Sequence, residues 1–149
     1  MASVEDILRQ KGSLVHAVEP TALMFEAVEK MVHHNIGALL VVADDELKGI
    51  VTERDYLKRV AVLGKRSRTT PVSEVMTENL VTISPNTEVG RCMELMTGRR
   101  IRHLPVIFEG RVVGLVSIGD LVKSKLREQD AHIQHLTDYI QGSPSATFL

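Results

Sequence analysis

The first half of this chain is written again in its second half, without gaps. Residues 15–58 fall on residues 80–123. Pro20 meets Pro85, Met31 meets Met96, Ile36 meets Ile101 and Leu39 meets Leu104. Val41 meets Val106, Gly49 meets Gly114, Val51 meets Val116 and Asp55 meets Asp120. Thr52 meets Ser117, which keeps the hydroxyl. A repeat of this length predicts one structural unit used twice, each copy covering the other's apolar face. Two copies also predict a pseudo-two-fold relation and two related clefts.

Each copy reads strand, helix, strand, strand, helix, an α/β (α+β) pattern. In copy one, Leu14–Val18 is a short apolar strand. Pro20-Thr21 opens a helix whose stripe is Leu23, Met24, Ala27, Val28, Met31 and Val32. Asn35-Ile36-Gly37 stops it. The run 38–42 is continuously apolar, as in a strand covered on both faces. Asp44-Asp45-Glu46 turns the chain, 47–52 returns, and a second helix carries Tyr56, Leu57 and Val60. Copy two repeats this. Thr82-Ile83 is the strand, Pro85-Asn86-Thr87 the helix start, and Val89, Met93 and Met96 the buried stripe. Leu104–Ile107 and Val112–Ser117 flank a turn at Glu109-Gly110. Asp45 stands where copy two has Gly110, so the two turns are expected to differ in type.

The predicted organisation is a helical lead-in over 1–13, copy one over 14–62, a linker over 63–71, copy two over 72–127 and a C-terminal helix and tail over 128–149. The basic stretch Leu63–Thr70 reads as having little structure of its own. Pro71–Met76 reads as a helical turn leading into copy two, and Val4–Leu8 resembles it ahead of copy one. The last helix overshoots the repeat, with Leu126, Ile133, Leu136 and Ile140 near a 3.5-residue spacing and Gly142 and Pro144 as its stop.

Composition narrows the function classes. Formal net charge is −1 over 149 residues, which argues against broad attraction to nucleic acid or an anionic membrane. Aromatics are only 3%, so base-stacking platforms are not expected and the core is aliphatic and Met-rich. No stretch approaches the ~18 apolar residues of a membrane span. No basic segment followed by an apolar run opens the sequence, so no secretory signal is expected. A single cysteine, Cys92, excludes an intrachain disulfide and a cysteine-built zinc site, and its place beside Met93 and Met96 reads as buried and inert. The expected compartment is cytoplasmic, or organellar if a transit peptide has been removed. His33-His34 and His132 with His135 offer no third ligand and read as polar faces.

The chemistry lies in Gly-apolar-apolar-Ser/Thr-x-x-Asp at a strand-to-helix junction: Gly49–Asp55 and Gly114–Asp120. Glycine permits close backbone approach. The hydroxyl ends the strand beside outward-facing helix N–H groups, which suit an anion. An Asp three residues on can accept both hydroxyls of a ribose. Equally, Thr52 and Ser117 can be plain N-caps and the two Asp residues mere complements to the helix dipole. Recurrence in the same register favours a site. Arg99, Arg100, Arg102 and His103 add cations suited to phosphate, or a favourable C-terminal helix charge. Copy one has His34, Asn35, Gly37 and Ala38 there.

Taken together these segments resemble the cystathionine-β-synthase (CBS) domain family, over about 4–124, as two tandem motifs of the β-α-β-β-α kind forming a CBS pair. The matching residues include Ile36–Val42, Gly49–Asp55, Val72–Thr77, Val81–Pro85, Ile101–Val106 and Gly114–Asp120. The resemblance is strongest to stand-alone CBS-pair proteins of bacteria and plant organelles. It implies adenosyl ligands: AMP above all, or ADP, ATP, NAD or S-adenosylmethionine. It implies ribose on Asp55 and Asp120, with the Thr52 and Ser117 hydroxyls near ribose and α-phosphate. Adenine would pair with first-strand backbone, at Thr82-Ile83 or His16-Ala17-Val18. Phosphate would go to Arg102 and His103, in the cleft whose ribose Asp is Asp55. Arg54, Pro105 and Gly119 fall within the matched segments and complete the expected nucleotide-binding set. Copy one supplies no cation at Gly37-Ala38, so the Asp120 cleft is expected to be the weaker for phosphate unless Arg54, Lys65 or Arg66 reaches it. The implied function is a non-enzymatic nucleotide sensor acting on a regulated partner protein, as a homodimer. A structural dimerisation scaffold with vestigial clefts is the rival reading. An enzyme is the third, and no catalytic constellation is visible for it.

Overall fold

The computed structural model describes residues 1–12 and 14–141; Gly142 and Pro144 lie outside them. The chain is mixed α/β. Copy one forms β1 (Ala17–Val18), α2 (Met24–His34), β2 (Ala38–Ala43), β3 (Glu46–Thr52) and α3 (Glu53–Tyr56), after α1 (Val4–Lys11). A π-helical turn, Leu57–Ala61, extends α3. Copy two forms α4 (Val89–Arg99), β4 (His103–Phe108), β5 (Arg111–Ser117) and α5 (Ile118–Gln141). β1 runs parallel to β2, β2 runs antiparallel to β3, and β4 pairs with β5.

The expected first strands are shorter than the apolar pattern suggested. Only Ala17–Val18 of the stretch from Leu14 is strand. In copy two it shrinks to a parallel bridge between Ile83 and Val106. The Ile83 N–H donates to the Pro105 carbonyl at 3.0 Å and its carbonyl accepts from the Ile107 N–H at 2.8 Å. Strands of one or two residues suffice because each needs only one ladder step to β2 or β4.

Two compact units form, and they do not coincide with the two copies. Of the described residues, one comprises 1–12, 84–104 and 116–141; the other comprises 14–83 and 105–115. The lead-in segments explain the interleaving. In one unit the Val89 N–H donates to Ala2, Val4 donates to Thr87 and Glu5 donates to Pro85, at 2.9–3.0 Å. In the other, Met24 donates to Thr70, Val72 to Ala22 and Ser73 to Pro20, at 2.8–3.0 Å. The same three bonds recur. The lead-in ahead of each copy docks on the helix start of the other copy, satisfying N–H groups that a helix start leaves open. Val4 and Val72 are both fully buried there.

The segment read as an unstructured linker is therefore held. Phe25 N–H donates to the Ser67 carbonyl at 2.9 Å, the Thr70 hydroxyl donates to the Arg66 carbonyl at 2.7 Å, and the Arg68 guanidinium lies 3.8 Å over the Phe25 ring. These contacts anchor a polar stretch without an apolar core of its own.

Both faces of β2 are covered, as its unbroken apolar run requires. Leu39, Val41 and Val51 pack with Met24, Ala27 and Met31 of α2 and with Val60, Val72 and Val75. Ala38, Leu40 and Ile50 face the other way, against Val15, Leu80, Val112 and Leu115. In the other unit Val89, Cys92 and Met96 of α4 and Leu121 of α5 are buried. Burial pushes the Cys92 thiol up to about 11, so it stays protonated and inert.

The two hairpin turns are alike, not different. Asp44 and Asp45 both have positive φ (53° and 61°), as do Glu109 and Gly110 (51° and 77°). Positive φ at both central residues belongs to the two-residue I′ turn that the strand twist demands. An Asp tolerates that conformation where copy two has glycine.

Both copies also close their first helix with a left-handed residue: Asn35 (φ 53°, ψ 49°) and Arg100 (φ 55°, ψ 44°). Asparagine suits that position; arginine carries a Cβ penalty there without a compensating side-chain bond. Arg100→Asn is expected to stabilise the chain by about 0.5–1 kcal/mol. Urea denaturation reads the shift, and an unchanged or lower midpoint contradicts it.

Candidate functional site: two Ser/Thr-x-x-Asp helix starts

Each motif sits where β3 or β5 ends and a helix begins. The middle of β3 matters first. Gly49 lies against Thr77 and Met76: a Cβ there would be 2.7 Å from the Thr77 carbonyl oxygen and 3.0 Å from the Met76 sulfur. The close backbone approach expected of this glycine is present. It lets Ile50 and Thr77 exchange two backbone bonds, at 3.0 and 2.8 Å.

That pairing delivers Thr77 to Asp55. The Asp55 carboxylate accepts from the Thr52 N–H at 3.0 Å and the Thr52 hydroxyl at 3.1 Å on Oδ2, and from the Thr77 hydroxyl at 3.3 Å on Oδ1. In return the Asp55 N–H donates to Thr52 Oγ1 at 3.1 Å. This is a reciprocal capping box, with Asp in the place usually held by Glu. Asp55 is only 9% exposed. Arg54, in the same turn, is exposed.

The second motif repeats the box. Ser117 N–H donates to Asp120 Oδ2 at 2.9 Å, and Asp120 N–H donates to Ser117 Oγ at 3.2 Å. The capping role weighed against a binding role is thus real at both sites. It does not exhaust them, because each carboxylate has a further partner from outside its motif. At Asp120 that partner is Lys11, at the end of α1, whose Nζ lies 2.7 Å from Oδ2. Burial alone would raise the Asp120 pKa. The Lys11 ammonium and the Ser117 amide outweigh it and hold the carboxyl below its usual range.

A bond common to both copies sets what stands beside each box. Glu53 N–H donates to the Gly37 carbonyl at 3.0 Å, and Ile118 N–H donates to the Arg102 carbonyl at 2.9 Å. The start of β4 is thereby tied to the start of α5. Arg102 and His103, expected to serve the Asp55 ligand, lie in the compact unit that also holds Asp120; which ligand they meet is a matter for the proposal below. His103 is half-buried, and burial lowers its pKa; the Asp120 charge opposes this, while Lys11 and Arg102 add to it. The imidazole is therefore a neutral hydrogen-bonding group near pH 7. The comparison of the two copies had left Asp120 without a cation. Lys11 supplies one from outside the repeat, a position that repeat alignment does not reach.

The remaining expected residues divide. Ile83 has both backbone groups committed to β4 and Pro105 is buried with its carbonyl on Ile83, so these two hold the strand. Thr82 and Gly119 are exposed. An open cleft of about 550 Å³ runs along β1, lined by Ala17, Val18, Thr21, Lys30 and Val42, where Lys30 Nζ donates to the Ala17 carbonyl at 2.6 Å. Among the described residues no group of three or more His, Cys, Asp or Glu side chains can hold a metal ion. His16 and His34 stack instead, with ring centroids 4.0 Å apart. No described helix is long and apolar enough to cross a membrane.

The tandem motif, the paired helix starts and the exchanged lead-ins define a class, and comparison with known proteins gives the same one. The CBS domain family model matches residues 4–62 and 72–127. The chain belongs to the CBS-domain family, whose members are generally regulatory modules. It is 42% identical to the mitochondrial CBS domain-containing protein CBSX3 of Arabidopsis thaliana, over 94% of this chain and 72% of that protein. A protein with CBS domains from Burkholderia ambifaria superposes with a TM-score of 0.83 at 41% identity, covering 86% of this chain and 96% of that one. The CBS domain pair of protein MJ0100, solved with 5′-methylthioadenosine and S-adenosyl-L-methionine, superposes with a TM-score of 0.74 at 26% identity, over 86% and 98% of the two chains.

Proposed function

We propose that this chain is a non-enzymatic regulatory protein that binds adenosine nucleotides, AMP above all, at its two Ser/Thr-x-x-Asp helix starts, and signals their level to a partner protein. One observation carries the reading: both starts present a carboxylate whose extra partner is an exchangeable side-chain donor, Thr77 or Lys11. A ribose diol can replace such donors on the same oxygens, since a carboxylate offers about four acceptor positions. That MJ0100 takes adenosyl ligands in the same fold supports the ligand class. Arg102, His103 and Lys11 provide for phosphate. ADP, ATP and NAD share the adenosine phosphate and are the other candidates. With the Ile83 backbone engaged, recognition of adenine in copy two falls to Thr82. Equilibrium dialysis of the purified chain against AMP, ATP and NAD tests this. Retention of none of them at millimolar ligand would leave the scaffold reading standing.

The same protein is proposed to act as a homodimer. The first two turns of α5 are anchored by the buried Leu121 and Ser124, but Leu126, Ile133, Leu136 and Ile140 beyond them are 48–68% exposed. A helix of 24 residues spans about 36 Å, and its far half leaves an apolar stripe in water. A two-fold partner buries the same stripe from both sides at once. Replacing Ile133 and Leu136 with Glu is expected to turn a dimer into a monomer in sedimentation runs at micromolar concentration. An unmutated chain that already sediments as a monomer would refute the dimer.

A further inference from the structure

The segment from Tyr56 to Ser73 holds five cations, Lys58, Arg59, Lys65, Arg66 and Arg68, and no acidic residue. It carries +5 in a chain of net −1, so the remainder of the chain is −6. Two of the five are used internally. The Arg59 guanidinium donates to the Val75 and Met76 carbonyls at 2.8 and 3.1 Å, and that of Arg68 lies over Phe25. The ion pairs among the described residues all lie elsewhere, so Lys58, Lys65 and Arg66 stand exposed without a carboxylate.

Apolar side chains stand among these cations. Leu57, Val62 and Leu63 are 56%, 79% and 61% exposed. The backbone puts them there. An α-helix would stack Ala61 over Leu57, because each N–H reaches the carbonyl four residues back. In the π-turn the Val62 N–H donates to the Leu57 carbonyl at 3.0 Å, and the larger Val62 takes that place. Gly64, left-handed at φ 69°, then ends the turn. Its N–H donates to Ala61 at 3.1 Å, and the Lys65 N–H donates to Val60 at 3.0 Å. In such a Schellman closure the residue after the glycine is often apolar and packs back on the helix. Here it is Lys65, and it is exposed. The Phe25–Ser67 bond ties down the stretch beyond. The surface is built before any partner arrives, which lowers the ordering cost of binding. A merely solvated linker has no use for three exposed apolar side chains on a fixed turn.

We propose that this face, formed by Leu57, Lys58, Val62, Leu63, Lys65 and Arg66, is a docking site for an acidic segment of a partner protein that carries apolar side chains among its carboxylates. Charge complementarity selects that partner: the free cations flank the apolar side chains, and positively charged partners are repelled. No exposed ring offers a base a place to stack, since Tyr56 is half-buried and Phe25 lies under Arg68. An anionic bilayer would attract this face and repel the −6 of the remainder. The face begins two residues beyond Asp55, on the continuation of α3. It thereby gives a chemistry to the partner of the regulatory reading above.

The experiment uses the full chain without nucleotide. It is titrated into a fluorescein-labelled synthetic peptide of Glu and Leu in a helical repeat, with Glu-Ser and Lys-Leu peptides of the same length for comparison, and anisotropy reads binding. The Glu-Leu peptide is expected to bind in the micromolar range, at least about tenfold tighter than either other peptide. Lys65→Glu with Arg66→Glu is expected to weaken it at least about tenfold. Lys48→Glu with Arg111→Glu makes the same change in net charge at exposed positions elsewhere and is expected to cost less than about threefold. Val62→Ser with Leu63→Ser is expected to cost about fivefold or more, with sedimentation of the chain unchanged. If the Lys65/Arg66 variant folds poorly, Lys65→Gln with Arg66→Gln takes its place, with a loss in the same direction. Equal weakening by the two charge-reversed pairs overturns the proposal, as does no binding at millimolar chain. Tighter retention on phosphatidylserine vesicles or single-stranded RNA than on the Glu-Leu peptide overturns it as well. So does a Val62/Leu63 variant that dissociates an oligomer, which would put a second copy of the chain on this face. With no nucleotide present the two readings are judged apart: a chain that holds the peptide but no adenosine ligand keeps the docking site and loses the nucleotide function.

Discussion

Asp55→Ala is expected to weaken AMP binding by roughly 10–150-fold, the cost of losing hydrogen bonds to a charged acceptor of about 1.5–3 kcal/mol. The substitution also opens the capping box of α3, because Asp55 accepts the Thr52 N–H. That loss is worth about 0.5–2 kcal/mol of stability. The two effects separate in Asp55→Asn, whose amide oxygen still caps Thr52 while the charge is gone. Affinity should then fall while the unfolding midpoint stays near the wild-type value. An alanine chain that remains folded and binds AMP as tightly as the wild type would remove Asp55 from the site.

Gly49→Val is expected to destabilise the chain by about 2–4 kcal/mol, measured by denaturant unfolding. The first atom of the new side chain meets a backbone carbonyl, that of Thr77, at 2.7 Å, and a backbone group cannot swing aside as a side-chain tip can. Relief requires the 72–77 segment to retreat. The two Ile50–Thr77 bonds go with it, and the buried Val72 and Val75 loosen. Thr77 also leaves Asp55, so nucleotide affinity should change in whatever fraction stays folded. A loss below about 0.5 kcal/mol would mean that the segment accommodates the side chain, and that the close approach is incidental.

Much of this architecture was legible because it is local. The 38–42 run announced a strand buried on both faces, and the structure covers both. Asn35 announced a helix end, and the structure shows it closed in the left-handed conformation. Gly49 announced a close approach, although nothing near it in the chain named Thr77 as the neighbour. The N-caps at Thr52 and Ser117 were legible from spacing, whereas the return bonds to Asp55 and Asp120 were not read from it. What escaped was non-local. No pattern within residues 1–12 connects Lys11 to a carboxylate at 120. The alignment of copies drew attention to Arg102 and His103 as cations and to Gly37-Ala38 as their uncharged counterpart, while the ammonium paired with Asp120 came from a segment outside the aligned span. The turn at Asp44-Asp45 was misjudged for another reason: residue type suggested a difference, but the twist of the flanking strands imposes one conformation on both hairpins.

The exchange of lead-in segments has a consequence for inheritance. A single copy with its own lead-in owns the piece that completes someone else. Translated alone, it would hold Thr52 and Asp55 without Thr77, and an N-terminal segment with no helix start to dock on. Two identical copies of such a peptide could satisfy one another by trading arms, as swapped dimers do. Gene fusion would then have made the trade permanent within one polypeptide. Once fused, the arms were free to diverge, one now setting the Thr77 hydroxyl on Asp55 and the other the Lys11 ammonium on Asp120.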